Sequence, residues 1–100
     1  MNNKIYKGTT PTFVFTFADF DPTTASKVLC TFSNGLEITE ADMDITSESV
    51  SIWLSQEQTL AMPQSSVSVQ FNFLFADGQR AASIVKTIWF DRNLHNEVMS

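Results

Sequence analysis

Several residue types that common protein functions need are scarce in this chain of 100 residues. The single cysteine, Cys30, excludes a disulfide within the chain, and no Cys/His cluster has the spacing of a zinc site. The single histidine, His95, lies in a polar C-terminal stretch that would not hold a Ser-His-Asp or Cys-His arrangement rigidly. We therefore expect no catalytic residues and no enzyme activity.

Glycine and positive charge are also scarce. The three glycines, Gly8, Gly35 and Gly78, are isolated, so no glycine-rich phosphate-binding loop is present. Six basic residues against eleven acidic ones give a net charge of −5, which disfavours nucleic acid and anionic membranes as partners. The sequence has no apolar run of roughly 18 residues, and residues 1–7 have no signal-peptide core. We expect synthesis in the cytoplasm without export through a signal peptide.

Carboxylate pairs are the only candidates for a metal site. Asp19 with Asp21, and Asp42 with Asp44, place oxygen donors at alternate positions near predicted loops, and Glu40 is close by. Acidic residues at such positions more often cap turns or solvate strand ends. We expect no metal and no cofactor.

The residues that are abundant favour strands. Nine phenylalanines and 43% hydrophobic residues are sufficient for one domain, residues 1–100, with its own core. Apolar residues alternate with polar ones in several segments, which predicts strands with one buried face. The residues predicted to face inward are Phe13, Phe15, Phe17, Val28, Cys30, Phe32, Met43, Ile45, Val50, Ile52, Leu54, Val67, Val69, Phe71, Phe73 and Phe75. About seven short strands predict an all-β, immunoglobulin-like antiparallel β-sandwich, with a small barrel as the alternative.

Two glycine-containing turns predict hairpins. Asp77-Gly78 is typical of a two-residue type I′ loop. The pairs predicted across it are Phe73 with Ala82, Phe71 with Ile84, Val69 with Lys86, and Val67 with Ile88. At Asn34-Gly35 a two-residue loop would place Phe32 opposite Glu37, so we expect a longer or bulged turn with Phe32 opposite Ile38.

One short helix is predicted near residues 56–61. Ser55 followed three residues later by Gln58 is a capping-box pattern, and Pro63 marks the end of the segment. Leu60 and Met62 are expected to dock beneath it.

Candidate contact residues lie on the strands and at both chain ends. Residues 1–8 and 91–100 contain few apolar anchors, so we expect flexible arms that become ordered against neighbouring subunits. Alternation places Trp53 and Trp89 outward, where tryptophan often marks a contact; the alternative is packing beneath the termini or the helix. The predicted partner-contact residues are Ile5, Tyr6, Trp53, Trp89, Leu94, Val98 and Met99.

The order of several short motifs resembles small phage and prophage proteins of gut bacteria. The motifs are Gly8-Thr9-Thr10-Pro11-Thr12-Phe13, Leu54-x-Gln56-x-x-Thr59-Leu60, Val69-Gln70, Asp77-Gly78, Ser83 and Leu94-x-x-Glu97-Val98. The architecture is also similar, more loosely, to the N-terminal immunoglobulin-like domain of phage baseplate upper proteins.

This resemblance implies a building block of the virion: a head decoration protein, a head–tail adaptor, or a baseplate or tail component. Its partners would be further copies of itself, as a homo-oligomer in the particle, and other capsid or tail proteins. It implies synthesis in the bacterial host cytoplasm, location in the virion, and no catalytic residues to transfer. The alternative is a carbohydrate- or receptor-binding module of a phage tail, since outward aromatic residues suit both functions.

Overall fold

The computed structural model describes residues 5–83 and 85–99, which form strands, two single-turn 3-10 helices and one α-helix. The strands and the helix are β1 (Ile5–Tyr6), β2 (Thr12–Thr16), β3 (Lys27–Phe32), β4 (Glu37–Thr39), β5 (Met43–Ile45), β6 (Ser49–Trp53), α1 (Gln56–Leu60), β7 (Ser66–Leu74), β8 (Arg80–Ala82) and β9 (Lys86–Asp91). The 3-10 helices are Pro22–Thr24 and Glu40–Asp42.

The strands form two sheets. The first has the order β1-β9-β7-β3-β4, with β8 paired to β7, and the second has the order β2-β6-β5. The grouping of β3, β7 and β9 in one sheet resembles that of the C, F and G strands in an immunoglobulin-type sandwich. The predicted all-β sandwich with one short helix is confirmed. The described residues form nine strands instead of about seven, and β1 pairs with β9 in parallel.

Phenylalanine rings from both sheets meet in the core. Phe71 on β7 is 1% exposed, and its ring centroid lies 4.9 Å from that of Phe15 on β2. Phe73 lies 5.2 Å from Phe17 and 4.7 Å from Phe20, both in edge-to-face geometry. Such contacts add to the free energy gained from apolar burial alone. The predicted inward faces of β2 and β7 are confirmed, although Phe13, Phe15, Phe17, Ile45 and Phe75 are only partly buried.

The turn between β7 and β8 differs from the prediction. Only glycines have positive φ among the described residues, so Asp77 does not, whereas Gly78 has φ +86°. The Gly78 N–H donates to the Phe75 carbonyl at 2.9 Å, which closes a three-residue loop with glycine at its left-handed position. The type I′ assignment is therefore wrong. The longer loop places Ala81, and not Ala82, opposite Phe73.

The predicted register is recovered in β9. Val67 pairs with Ile88 and Val69 with Lys86, as expected. The register of β8 with β7 differs by one residue from the register of β9 with β7, as it does across a β-bulge. Because of this shift, the predicted residues of β9 face inward again. The predicted pair of Phe71 with Ile84 lies outside the described residues.

The turn between β3 and β4 has the same three-residue form. Gly35 has φ +98°, and its N–H donates to the Phe32 carbonyl at 2.9 Å. The predicted longer turn is confirmed, but the predicted pair of Phe32 with Ile38 is wrong. The Phe32 N–H donates to Leu36, and Ile38 lies opposite Cys30.

The helix α1 begins with the predicted capping box. The Ser55 hydroxyl accepts from the Gln58 N–H at 3.2 Å, and the Gln58 side-chain oxygen accepts from the Ser55 N–H at 2.8 Å. Met62 follows the helix and is 1% exposed, as expected for a residue that docks beneath it. In the described part of the chain, no helix is long and apolar enough to cross a membrane.

Candidate partner-contact surfaces

The two tryptophans lie on opposite sides of the sandwich. Trp53 on β6 is 42% exposed and belongs to the sheet β2-β6-β5. Trp89 on β9 is 47% exposed and belongs to the other sheet. Both alternate with buried neighbours, so each side chain lies on the outer face of its sheet. The outward parity predicted for both residues is confirmed, and the two indole rings cannot form a common binding platform.

Tyr6 shares the outer face of Trp89. It is 53% exposed and pairs with Asp91, two residues after Trp89 on the neighbouring strand. Ser66 pairs with Trp89 on the other side. This surface, called the Tyr6/Trp89 face below, combines two aromatic side chains with a neighbouring hydroxyl and a carboxylate.

The outer face of the second sheet has its own apolar group. Val14 on β2 is 63% exposed and pairs with Ser51 on β6, next to the pair of Thr12 with Trp53. Val14 and Trp53 therefore lie on one face, in neighbouring strands. The alternation in the sequence places Val14 on this outer face, but Val14 is not among the predicted contact residues.

Ile5 differs from the other predicted contact residues. It pairs with Phe90, which is fully buried, and its side chain packs against the core cluster. The side chain of Ile5 thus contributes to the core of its own domain. The partner role predicted for Ile5 has no support from its position.

The C-terminal segment exposes three apolar side chains. Leu94, Val98 and Met99 are 89%, 46% and 69% exposed. The side chain of Gln56 on α1 accepts from the Met99 N–H at 2.7 Å and donates to the Met99 carbonyl at 3.0 Å. This pair of hydrogen bonds fixes the end of the segment against the helix.

The predicted arms are attached to the domain at several described positions. Asp91 belongs to β9, so the C-terminal arm begins later than predicted. Asn93 donates from its side-chain amide to the Lys7 carbonyl at 3.0 Å, which joins the two arms. Residues 1–4 and 100 of the predicted arms lie outside the described residues. The flexibility of the arms remains a prediction.

Thr59 is a buried polar residue whose role no local sequence pattern predicts. Its hydroxyl is inaccessible to solvent, accepts from the Gly8 N–H at 2.9 Å and donates to the Thr9 carbonyl at 2.7 Å. These partners lie 51 and 50 residues away, so no local pattern reveals the contact. The contact joins the Gly8-Thr9 segment to the helix α1.

A cleft opens between β2 and a group of residues from the β8–β9 region, namely Ala82, Ser83 and Lys86. It has a volume of about 370 Å³, an apolar floor that includes Phe15, Val69 and Phe71, and the charged residues Asp19 and Lys86. No histidine or cysteine is among its described lining residues. The arrangement suits an apolar side chain of a partner, because the floor is aromatic and each sign of charge is present once.

Two of the carboxylates considered for metal binding, those of Asp21 and Glu40, have local hydrogen-bond partners. Asp21 accepts from the Thr23 N–H at 2.9 Å and so caps the first 3-10 helix. Glu40 accepts from the Val28 N–H at 3.2 Å. Within residues 5–83 and 85–99, no group of three or more His, Cys, Asp or Glu residues could hold a metal ion.

Cys30 is a structural residue of the core. It is fully buried, as predicted, and burial raises the pKa of its thiol to about 12. The thiol therefore stays protonated near neutral pH, where only the thiolate would act as a nucleophile or a metal ligand.

Comparison with known proteins gave no match to a protein-family model, to a curated protein or to a solved structure. The assignment of the fold as a β-sandwich therefore rests on the order and register of the strands.

Proposed function

We propose that this chain is a structural protein of a bacteriophage virion that acts through protein–protein contacts in a repeated assembly. Within the virion it would serve as a head decoration protein, a head–tail adaptor, or a baseplate or tail component. The motif resemblance of the sequence supports the phage setting. The distribution of exposed apolar side chains carries the argument for repeated contacts.

Exposed apolar side chains occur on several sides of this small domain. The large hydrophobic residues that are exposed are Tyr6, Val14, Trp53, Leu74, Val85, Trp89, Leu94, Val98 and Met99. Most of them lie on the outer faces of the two sheets or in the C-terminal segment, and Val85 lies between β8 and β9. A subunit within a symmetric or lattice-like assembly is contacted on more than one side, whereas a module for one small ligand concentrates its aromatic residues.

The energetic gain from covering these side chains is substantial. Fully burying one large apolar side chain contributes about 1.5–3 kcal/mol relative to leaving it in water. Covering Trp53 and Trp89 requires contacts on opposite sides of the domain, because they lie on different sheets. Several partial contacts of this kind suit a particle in which each subunit has several neighbours.

Analysis of purified particles tests this proposal. Phage particles carrying the gene for this chain would be purified on a density gradient, and their proteins quantified by mass spectrometry. We expect the chain to co-sediment with the major capsid protein at a fixed stoichiometry. Its absence from intact particles would contradict the proposal.

Variants of the two tryptophans link the test to the structure. Trp53→Ser and Trp89→Ser should lower incorporation into particles, since each removes an exposed apolar contact. Thr87→Ala is the matched control, because Thr87 is exposed on the same strand and face as Trp89. Equal incorporation of all three variants would contradict a contact role for the tryptophans.

A carbohydrate- or receptor-binding module of a phage tail is the second candidate. The Tyr6/Trp89 face favours it, because aromatic rings with neighbouring polar groups are suited to sugars. Saturable quenching of tryptophan fluorescence by host polysaccharide would support it, provided that Trp89→Ser abolishes the quenching and Trp53→Ser retains it. The absence of quenching by host polysaccharide would contradict glycan binding.

A further inference from the structure

The strand β2 has a free edge. It is the outer strand of the sheet β2-β6-β5. The Phe17 N–H donates to the Glu48 carbonyl at 2.7 Å, so odd-numbered residues of this segment direct their backbone groups toward β6. The N–H and C=O groups of Thr12, Val14 and Thr16 therefore face away from β6. Among the described residues, none of these groups has a hydrogen-bond partner.

This edge lacks the features that usually prevent pairing between sheets. Exposed edge strands are commonly protected by charged side chains, proline or a bulge. The five residues of β2 are uncharged and consist of threonine, phenylalanine and valine, which favour strands. Val14, in the middle, is 63% exposed. The edge is thus open to another strand.

The sequence of β2 is a palindrome, Thr-Phe-Val-Phe-Thr. An antiparallel pair of two such strands, centred on Val14, places valine opposite valine. It also places Thr12 opposite Thr16, and Phe13 opposite Phe15, of the second copy. Threonine pairs and aromatic pairs are favourable across strands, and no like charges meet although the chain has a net charge of −5.

We propose that two copies of this chain pair through the β2 edge, antiparallel and about a two-fold axis at Val14. The pairing joins the β2-β6-β5 sheets of both copies into one continuous sheet. Thr12, Val14 and Thr16 each offer one N–H and one C=O group, which gives about six hydrogen bonds between the copies. Phe13 and Phe15, which are half-buried at this edge, gain cover from their counterparts.

The proposed dimer depends on the proposed assembly function only for its biological role, and not for the contact itself. It names a second copy as the partner and β2 as the contact, neither of which follows from the exposed tryptophans. The test below uses purified protein alone. Its outcome is therefore independent of whether the chain is present in phage particles.

Disulfide cross-linking tests the register. In the proposed dimer the two Val14 Cα atoms form a hydrogen-bonded pair at about 5.5 Å, within the usual range for a disulfide. Ser51→Cys is the matched control, because Ser51 pairs with Val14 inside each copy on the same outer face. The two Ser51 residues would lie three strand spacings apart, about 14 Å. Cys30 is fully buried and does not compete.

We expect Val14→Cys to form a covalent dimer under mild oxidation and Ser51→Cys to remain monomeric. By sedimentation, the wild type should be a dimer and Val14→Lys a monomer, because two ammonium groups would meet at the axis. Val14→Lys should keep its melting temperature as a monomer, since Val14 is exposed.

A monomeric wild type at millimolar concentration would overturn the proposal and leave the edge for a strand of another protein. Equal cross-linking of both cysteine variants would also overturn it.

Discussion

The buried hydroxyl of Thr59 lies 2.9 Å from the backbone nitrogen of Gly8, from which it accepts a hydrogen bond. The same hydroxyl donates to the Thr9 carbonyl at 2.7 Å. Gly8 and Thr9 belong to the segment in which the chain crosses from β1 in the first sheet to β2 in the second. One side chain of α1 therefore fixes the crossing between the sheets.

Replacing Thr59 with valine tests this contact. The side chain keeps its shape, but the Gly8 N–H and the Thr9 carbonyl lose their partner, so we expect a loss of about 1–3 kcal/mol in the free energy of unfolding. Urea unfolding measures this loss. Thr87→Val is the control, because Thr87 is exposed, and it should change stability by about 0.5 kcal/mol or less. Similar losses in both variants would contradict the role of Thr59.

Phe71 is one of the fully buried phenylalanines that stabilise the core. It is 1% exposed and contacts Phe15 and Phe17 of the opposite sheet, at centroid distances of 4.9 and 5.7 Å. Phe71→Ala should destabilise the domain by about 3–5 kcal/mol, the usual range for a buried phenylalanine. Leu74→Ala on the same strand should cost less than about 1 kcal/mol, because Leu74 is 42% exposed. A comparable loss at both positions in urea melts would show that the predicted inner face is wrong.

The turn at Gly78 can be distinguished from a type I′ turn by substitution. Gly78 has φ +86°, and a Cβ atom there would meet nothing within 4 Å, so only backbone strain opposes a side chain. Gly78→Val should cost about 1–3 kcal/mol, whereas Gly78→Asn should cost less, because asparagine tolerates this conformation. Asp77→Gly should not stabilise the turn, because Asp77 has no positive φ whose strain a glycine would relieve. A clear rise in melting temperature for Asp77→Gly would favour the type I′ geometry.

This turn also shows which parts of the fold the sequence can predict. Alternation identified the buried faces of β2, β3, β6 and β7, because period-two patterning reflects burial directly. The loop type was predicted wrongly, because Asp-Gly suits both a two-residue loop and a three-residue loop with a left-handed glycine. The compensating shift between β8 and β9 depends on pairing with β7, which the local sequence does not encode.

For the candidate contact residues, too, the sequence predicts which face of a strand a side chain lies on, but not which strands pair. Parity placed Trp53 and Trp89 outward, but it could not assign them to different sheets, because that depends on which strands pair. Ile5 is predicted as a contact residue, and that role stays a prediction. Its packing against the core could not be predicted, because its strand partner Phe90 lies 85 positions away. Thr59 was not identified for the same reason. Contacts that are local in sequence were predicted, and those that close the sandwich were not.

The Cys30 thiol should make stability fall at high pH. Burial raises its pKa to about 12 from an ordinary value of 9.0, so above about pH 9 the unfolded chain loses this proton while the folded chain keeps it. The folded state then binds more protons, and stability decreases by up to about 1.4 kcal/mol per pH unit until the pH reaches the folded pKa. Below pH 9 this group has no effect.

Comparison with Cys30→Ala isolates the contribution of the thiol, since lysine and tyrosine side chains also titrate at high pH. The difference in unfolding free energy between wild type and variant should narrow as the pH rises from 9 toward 12. Urea melts at several pH values measure it. A constant difference would mean that the thiol does not have a raised pKa in the folded state.

The C-terminal segment should contribute little to the stability of the isolated domain. Leu94 and Met99 are 89% and 69% exposed, and the hydrogen bonds between Gln56 and Met99 are exposed to solvent. Deleting residues 94–100 should therefore reduce the free energy of unfolding by less than about 1 kcal/mol. Asn93→Ala should cost about 1 kcal/mol, because the Asn93 amide donates to the Lys7 carbonyl in a partly buried position.

Asn96→Ala is the matched control for Asn93→Ala, since Asn96 is exposed in the same segment, and it should leave the melting temperature unchanged. On the proposed virion function, the truncated chain should be incorporated into phage particles less well, because it lacks three exposed apolar side chains. A truncation that unfolds the isolated domain would assign the segment to the fold. A truncation that changes neither stability nor incorporation would exclude the segment as a contact surface.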